Sequence, residues 1–428
     1  KTYGIILFAF ECLFLPNMTK LTTFTKIFRH IIIMNVILFD EKGNWTDLLP
    51  LSFTRPIADI RIGIMTIREK WSLYLAHDNI SYKPADYLSI KFTKTITDDN
   101  MFIASNVIPS KALAETFRSI EYGCALFSGE RIIAFRGTEE DFEAGRFDTK
   151  KEIEEPRMIK MLYDIFLMNE EEMIADYKEI TAGRKSQPIS KTCTIVGDTE
   201  RNGMPLIFIE EGASVEGAFL NTNSGPIYIG KDAIIMEGAC IRGCFAACEH
   251  SQVNMGAKIY GATTLGPYCK VGGELNNVVM FGYSNKAHDG FLGNAVIGEW
   301  CNIGAGTNAS NLKNDYTEIK LWNYRTHRFL KTGLQFCGLI LGDHSKIGIN
   351  CMLNTATVIG VGVNIHGSGF PRNFVASFLE GGAAGYTDVS VAKFFDIAKR
   401  MMARRDIILS DTDKEIFESI YSIADNYK

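Results

Sequence analysis

Residues 229–272 read IGKDAIIMEGACIRGCFAACEHSQVNMGAKIYGATTLGPYCKVG, and an aliphatic or small residue recurs at every sixth position. The recurring residues are Ile229, Ile235, Ile241, Ala247, Val253, Ile259, Leu265 and Val271. A period of six matches neither a helix, which repeats about every 3.6 residues, nor a half-buried strand, which alternates. It predicts a short strand and a corner, with one inward side chain in each unit. The stretch is therefore typical of a parallel β-solenoid.

The same step returns further along the chain. The later positions are Leu341, Ile347, Leu353, Ile359 and Ile365, with Phe291, Ile297 and Ile303 between the two runs. A β-sandwich of short strands is the alternative, but it would lose this register at its first loop. Since a solenoid coil cannot bury its own face, we expect continuous stacking and covered ends.

The composition is that of a globular protein with two or three domains: 428 residues, 46% hydrophobic and 22% charged. A net charge of -5 gives no general attraction to nucleic acid. Ten unevenly spaced cysteines indicate reduced thiols and a cytoplasmic location. The spacing of Cys240, Cys244 and Cys248 places them on different faces of a six-residue coil, which favours corners over a metal site.

The N-terminal segment is apolar between residues 4 and 16 (GIILFAFECLFLP). It is too short to span a bilayer comfortably, so no membrane partner is expected, although it could be signal-like. Organised sequence begins at Met34, which we take as the start, with residues 1–33 as an extension of uncertain status. The predicted divisions are an α/β domain at 34–181, a linker at 182–193, the solenoid at 194–375 and a helical tail at 376–428.

Local patterns support these divisions. Strands are predicted at Val36–Phe39 and Ile132–Phe135, and helices at Arg61–Leu75 and Met158–Asp176. In the tail, Val389–Leu409 reads as helical, and Ser410 offers an N-cap for a last helix through Ile423. The basic residues of the tail fit either a solvated helix face or a phosphorylated ligand.

Chemistry is expected in the segments that interrupt the repeat. His288 lies in Ser284–Gly290, among small and polar residues, which is not a core setting. Because histidine titrates near neutrality, it can accept a proton from an attacking amine or hydroxyl. Asn302 and Asn311 could orient it or bind polar groups of a substrate, and a longer insertion follows Gly304 to about residue 338.

Residues 284–298 (SNKAHDGFLGNAVIG) and 302–307 (NIGAGT) resemble the acetyltransferase half of the bifunctional N-acetylglucosamine-1-phosphate uridyltransferase/glucosamine-1-phosphate N-acetyltransferase, the GlmU-like family. The stretches 49–56 (LPLSFTRP), 334–338 (LQFCG) and 367–374 (GSGFPRNF) are similar to a divergent branch of sugar nucleotidyltransferase-like proteins. The resemblance extends from Met34 to the C-terminus.

The resemblance implies a left-handed parallel β-helix, a homotrimer, and acetyl-CoA or another acyl-CoA as co-substrate. It assigns His288 as the base that deprotonates an amino sugar phosphate, Asn302 and Asn311 to substrate binding, and Ala305 to the pantetheine arm. Asn276 stands where the family has a phosphate-binding lysine, and Phe291 where it has a tyrosine. The basic residues that could bind the phosphate instead are Lys286, Lys313, Arg325 and Arg328.

The N-terminal domain departs further from such transferases. Its first strand leads into Asp40–Asn44, which has one glycine instead of a phosphate-cradling loop, and Ile57 replaces an expected lysine. Arg55 and Arg61 are the best remaining phosphate binders, and Mg²⁺ would be needed if the domain is active.

Four interpretations therefore stay open from the sequence. Acyl transfer with His288 as base comes first, and NTP-dependent nucleotidyl transfer with the β-helix as a trimer scaffold comes second. The others are a solenoid zinc hydratase, for which His288, His327, His344 and His366 are available, and a catalytically inactive homologue.

Overall fold

The computed structural model describes residues 35–76 and 79–428; the predicted start at Met34 and the apolar segment before it lie outside these ranges. An α/β domain comes first, a parallel β-helix follows, and two helices pack against both. Within the described ranges, we find no helix with the length and apolar character that crossing a membrane requires.

The α/β domain is built on one mixed sheet of six strands. They are β1 (Asn35–Phe39), β2 (Ile80–Lys83), β3 (Asn100–Ala104), β4 (Cys124–Ser128), β5 (Arg131–Gly137) and β6 (Thr149–Glu152), in the order β2-β1-β3-β5-β4-β6. Strands β2, β1 and β3 are parallel, and β5 runs antiparallel to both of its neighbours. Both predicted strands are present, as β1 and β5.

The helices of this domain begin later than the sequence pattern predicts. They are α1 (Lys42–Asp47), α2 (Ile67–Leu75), α3 (Lys111–Arg118), α4 (Glu139–Ala144), α5 (Asp164–Leu167) and α6 (Asn169–Thr181), with 3-10 turns at Ile57–Asp59 and Asp86–Leu88. Arg61–Ile62 instead pairs with Met65–Thr66, and Thr66 caps α2 by accepting from the Glu69 N–H. The Asp164 carboxylate accepts from two backbone N–H groups just before α5, which ends the irregular stretch after Met158.

The β-helix has three faces, which we call A, B and C. Face A contains Ile207–Ile209, Ile227–Ile229, Phe245–Ala247, Thr263–Leu265, Ile340–Leu341, Val358–Ile359 and Phe374–Val375. Face B contains Ser214–Val215, Ile234–Ile235, Gln252–Val253, Lys270–Val271, Asn285–Lys286, Asn302–Ile303, Lys346–Ile347, Asn364–Ile365 and Leu379–Gly382. Face C contains Thr194–Val196, Phe219–Asn221, Cys240–Arg242, Lys258–Tyr260, Asn308–Ala309 and Met352–Leu353, and the long strands Glu274–Gly282 and Phe291–Glu299 run from face C into face A.

Six residues per face explain the sequence period. Ile229, Ala247 and Leu265 stack on successive coils, 18 residues apart, and all the residues of the first run are buried in one core. The prediction for Phe291 is wrong, because Leu292 occupies the inward position there. Leu292 lies opposite Leu275, 17 residues earlier, so this coil is one residue shorter and the phase shifts.

Three smaller ribbons complete the β-helix. They are Glu200–Arg201 with Met204–Pro205, Lys320–Asn323 with Arg328–Lys331, and Leu379–Gly382 with Gly385–Asp388. The last ribbon extends face B beyond residue 375. The second ribbon forms a hairpin in the long insertion and tethers the two domains: the amide of Asn323 donates to Asp47 at 2.8 Å, and Arg325 pairs with Asp47 at 2.9 Å.

The tail forms helices α7 (Val391–Ala403) and α8 (Asp411–Ala424), followed by a 3-10 turn at Asp425–Tyr427. Ser410 caps α8 by accepting from the Asp413 N–H, as predicted. One continuous core joins the α/β domain, face A and the tail, and it includes Phe53, Phe281, Phe378 and Phe417. The two other modules therefore cover the A side of the β-helix.

Candidate functional site

His288 stands on the edge between faces B and C. Its turn, 287–290, joins the face B strand Asn285–Lys286 to the face C strand that begins at Phe291, and its side chain is exposed. Gly290 has φ +123°, and a Cβ there would lie 2.1 Å from the Thr307 carbonyl oxygen. Only glycine fits this close approach of two coils.

Hydrogen bonds hold this turn from both sides, by Asn254 two coils earlier and by the coil that follows. The amide of Asn254 donates to the Ala287 carbonyl at 2.7 Å, and the Gly306 N–H donates to the Asp289 carbonyl at 2.9 Å. The Phe291 N–H donates to the side chain of Asn308 at 2.8 Å. The backbone around His288 is therefore held in place by neighbouring coils, and its imidazole is exposed.

Lys286 supports the turn from inside the β-helix. It lies opposite Val271 in the inward column of face B and is fully buried, and its ammonium donates to the carbonyls of His288 and Asp289, the latter at 2.9 Å. Burial lowers the pKa of Lys286 to about 8, and Asp289 partly opposes this shift. The expectation that Lys286 binds a substrate phosphate is wrong, because its charge faces the core side of the turn and not solvent.

The other predicted site residues on the β-helix are spread over faces B and C. Ala305 lies on the next coil of the His288 edge, and its carbonyl accepts from the Asn350 N–H at 2.8 Å. Asn302 is exposed on face B, opposite Asn285. Asn311 lies at the far edge of face C, where its amide donates to Asn294 at 2.8 Å. Within one copy of the chain, the structure brings His288 and Ala305 to one edge and leaves Asn311 across the face.

Arg55 lies at the junction of the α/β domain and the β-helix. It is 5% exposed and forms ion pairs with Asp343 and, at 3.4 Å, with Glu299, while Thr54 donates to Asp343 at 2.7 Å. Burial raises the pKa of Asp343, and Arg55 opposes that rise. The junction also borders a cavity of about 270 Å³ that α8 helps to close. Arg55 is thus a buried interdomain contact, and its predicted role as a phosphate binder is not supported.

Arg61 is held in the same way. Its Nε donates to the Phe281 carbonyl at 3.2 Å, its guanidinium also bonds to the Ile64 carbonyl, and Glu69 lies 3.7 Å away. Because these groups use its donors in a buried position, Arg61 joins face A to the α/β domain. The sequence prediction of a phosphate ligand fails here too.

Asp40 marks the carboxyl end of β1, where open parallel sheets bind ligands. Its carboxyl accepts from the Ile57 N–H at 3.2 Å and from the Ser105 hydroxyl, and burial raises its pKa to about 7. A second carboxylate, Asp59, accepts hydrogen bonds from the Tyr82 hydroxyl at 2.9 Å and from the Arg68 Nε at 3.2 Å.

Asp40 and Asp59 are thus both hydrogen-bonded within the protein. Across residues 35–76 and 79–428, no three His, Cys, Asp or Glu side chains converge in the manner of metal ligands. Cys240 is exposed, whereas Cys244 and Cys248 are buried, and all three are free thiols.

Comparisons with known proteins match parts of the chain. A family model for sugar nucleotidyl transferases matches residues 36–185. The bifunctional protein GlmU of Trichodesmium erythraeum is 28% identical over 140 residues, which are 32% of this chain and 25% of that protein. The bifunctional sugar-1-phosphate nucleotidylyltransferase/acetyltransferase of Sulfurisphaera tokodaii is 29% identical over 145 residues, which are 33% of this chain and 35% of that protein.

The chain thus spans between a quarter and about a third of the length of these relatives. Among solved structures, the UDP-N-acetylglucosamine acyltransferase of Francisella novicida aligns with 56% of this chain and 76% of its own, at a TM-score of 0.23 and 11% identity. The polysialic acid O-acetyltransferase OatWY aligns with 46% of this chain and 85% of its own, at a TM-score of 0.20 and 14% identity.

Proposed function

We propose, since this chain is a divergent relative of the GlmU-like proteins, that it is an acyl-CoA-dependent transferase that acylates the amino group of a sugar phosphate, with His288 as general base. One observation carries the proposal: the turn around His288 is locked by Lys286, Asn254 and Gly306, while the imidazole itself is exposed.

The chemistry follows from the properties of imidazole. The neutral ring accepts a proton from the substrate amine as the nitrogen attacks the thioester carbonyl. The tetrahedral intermediate then collapses, the carbon–sulfur bond breaks, and the CoA thiolate leaves and takes up the proton. The main chain at Ala305, one coil away on the same edge, is available to the pantetheine arm.

A homotrimer would complete this site. On adjacent coils, face C bears the exposed apolar side chains of Val196 (40%) and Phe219 (48%), which another copy could cover. Packing of copies around a threefold axis would bring the far edge of face C in one copy toward the His288 edge of another. Light scattering at micromolar concentration tests this, and a stable monomer would contradict it. The cytoplasmic location stays a prediction.

The alternative function is sugar-1-phosphate nucleotidyl transfer by the first domain, and the family match over residues 36–185 favours it. The ion pair of Arg55 with Asp343 and the backbone contacts of Arg61 argue against it, because a triphosphate would have to compete with these buried partners. Pyrophosphate release from an NTP and a hexose 1-phosphate with magnesium would establish this activity. Its absence with every NTP would leave the domain as a scaffold, and a lack of acyl transfer as well would identify an inactive homologue.

The deciding experiment is thiol release from acetyl-CoA with a panel of hexosamine 1-phosphates. We expect sugar-dependent release by the wild type and its loss in His288→Ala. His366→Ala is the matched control, because His366 is also an exposed histidine that follows a face B strand. Equal loss in both variants, or no release with any acceptor, would overturn the proposal.

A further inference from the structure

A second cavity lies where the long insertion meets the last coils of the β-helix. We call it the insertion pocket; it measures about 730 Å³ and is lined by Lys313, Lys320, Trp322, Phe329, Thr355, Arg372, Asn373 and Phe374. Three of its residues belong to the stretch GSGFPRNF, which the proposed acyl transfer leaves without a role.

The charges in the pocket are unbalanced. Three of its eight lining residues are cations and none is an acid, in a chain whose net charge is -5. Within residues 35–76 and 79–428, no carboxylate lies within ion-pair distance of Lys320 or Arg372. Exposed Asp315 and Glu318 lie near Lys313, whose ammonium donates to the Glu318 carbonyl at 2.8 Å.

The hairpin also places two like charges face to face. Lys320 is directly opposite Lys331 across the two strands, and only Lys331 has a carboxylate partner, Glu318 at 3.3 Å. Like charges at opposed positions destabilise a hairpin. Glu318 offsets this repulsion at Lys331, and an anion bound at Lys320 would offset it further.

The wall of the pocket is aromatic. Trp322 stacks on Phe374 with ring centroids 4.2 Å apart and meets Phe329 edge-on at 5.3 Å, yet Phe329 stays 42% exposed. In the described part of the chain, the buried indole N–H of Trp322 has no hydrogen-bond partner. An aromatic platform beside cations is the combination on which nucleobases stack while their phosphates are neutralised.

The polar groups around this platform are held in place. The amide of Asn373 donates to the Thr355 carbonyl at 2.9 Å, and the Thr355 hydroxyl bonds to Ser310 at 2.9 Å. Ser310 immediately precedes Asn311, which the resemblance assigns to the substrate site. These hydrogen bonds connect the pocket to the edge of face C.

The geometry points to the insertion pocket as a nucleotide-binding subsite, which holds a base against Phe329 and Trp322 and phosphates on Lys320 and Arg372. The nucleotide can come from two sources: the adenosine 3′,5′-bisphosphate end of an acyl-CoA, which rests on the proposed function, or a nucleoside diphosphate, which does not.

The test is titration calorimetry of the full chain with adenosine 3′,5′-bisphosphate, UDP and inorganic phosphate. We expect one saturable nucleotide site, weakened at least tenfold in Lys320→Ala/Arg372→Ala and roughly tenfold in Phe329→Ala, which removes one stacking surface. Lys191→Ala, which removes an exposed cation before the β-helix, should leave affinity unchanged. Preference for the bisphosphate identifies the CoA source, and preference for UDP the other.

His288→Ala separates this inference from the proposed function. It should abolish acyl transfer and leave nucleotide affinity unchanged, so the two can fail independently. The subsite is overturned if no nucleotide binds saturably, if inorganic phosphate binds as tightly as the nucleotides, or if the double variant, folded by circular dichroism, binds like the wild type.

Discussion

The edge that carries His288 and the junction that carries Arg55 each contain a buried cation, but the two cations have different partners. At the edge, a buried lysine holds backbone carbonyls so that a histidine can remain exposed. At the junction, an arginine and an aspartate neutralise each other with almost no contact with solvent. The buried lysine thus supports an exposed neighbour, whereas the buried Arg55–Asp343 pair joins two domains.

This comparison predicts the largest effect for a crossed pair of substitutions. His288→Gln should lower acyl transfer by roughly 10²–10⁴, as the removal of a general base does, and leave the free energy of unfolding unchanged. Arg55→Met should lower the free energy of unfolding and leave the rate of acyl transfer per folded molecule unchanged. Thiol release and urea denaturation of both variants measure this, and a folded Arg55→Met protein that lost activity as severely would erase the distinction.

The second prediction concerns the stability of the junction. Arg55→Met leaves Asp343 buried without its partner, which should lower the free energy of unfolding by about 3–5 kcal/mol. Arg146→Met is the matched control, since Arg146 pairs with Glu140 and Asp141 on the surface, and exposed pairs contribute about 1 kcal/mol or less. Urea denaturation compares the two, and equal losses would show that burial is not the cause.

The third prediction tests the end of β1 through pH. Because burial raises the pKa of Asp40 to about 7 from an ordinary value of 3.8, the folded state holds this proton more tightly than the unfolded state. The stabilisation is fully present below pH 3.8 and is lost as the pH rises through 7. Relative to Asp40→Asn, the wild type should lose roughly 1–4 kcal/mol between pH 4 and 7. Parallel pH curves would show that Asp40 is not buried as described.

The smallest expected effect is at the lysine beneath His288. The pKa of Lys286 is about 8 in the fold and ordinarily 10.5, so its burial destabilises the protein fully below pH 8. That cost is relieved as the pH rises from 8 to 10.5, and the wild type should gain roughly 1–3 kcal/mol relative to Lys286→Met in that window.

Lys286→Met also tests the turn itself. Loss of the two carbonyl contacts should loosen residues 287–290 and lower acyl transfer several-fold at pH 7.5, with faster hydrogen exchange confined to this turn. Val271→Met is a matched control, because it changes the opposing residue of the same inward column. A Lys286→Met protein with full activity and unchanged exchange would remove its supporting role.

The β-helix, the first strand and the cap of the last helix could all be predicted from the amino-acid sequence. The period of six arises within each short unit of the repeat. The Ser410 cap involves only four adjacent residues. Both can therefore be recognised from short stretches of sequence. The exposure of His288 was also predicted correctly, because small and polar residues surround it in the sequence.

The partners and the burial of the charged residues could be seen only in the tertiary structure. Arg55 meets Asp343 across 288 positions of sequence, and Asn323 meets Asp47 across 276, so no local pattern could reveal either contact. Lys286 became a core residue because its coil is three residues short: it follows Val271 by 15 positions and not 18, and so occupies the inward column opposite Val271. The physical reason is the same in each case: residue type fixes which charges are available, but burial and the partner in space determine whether a charge binds a ligand or holds the fold together.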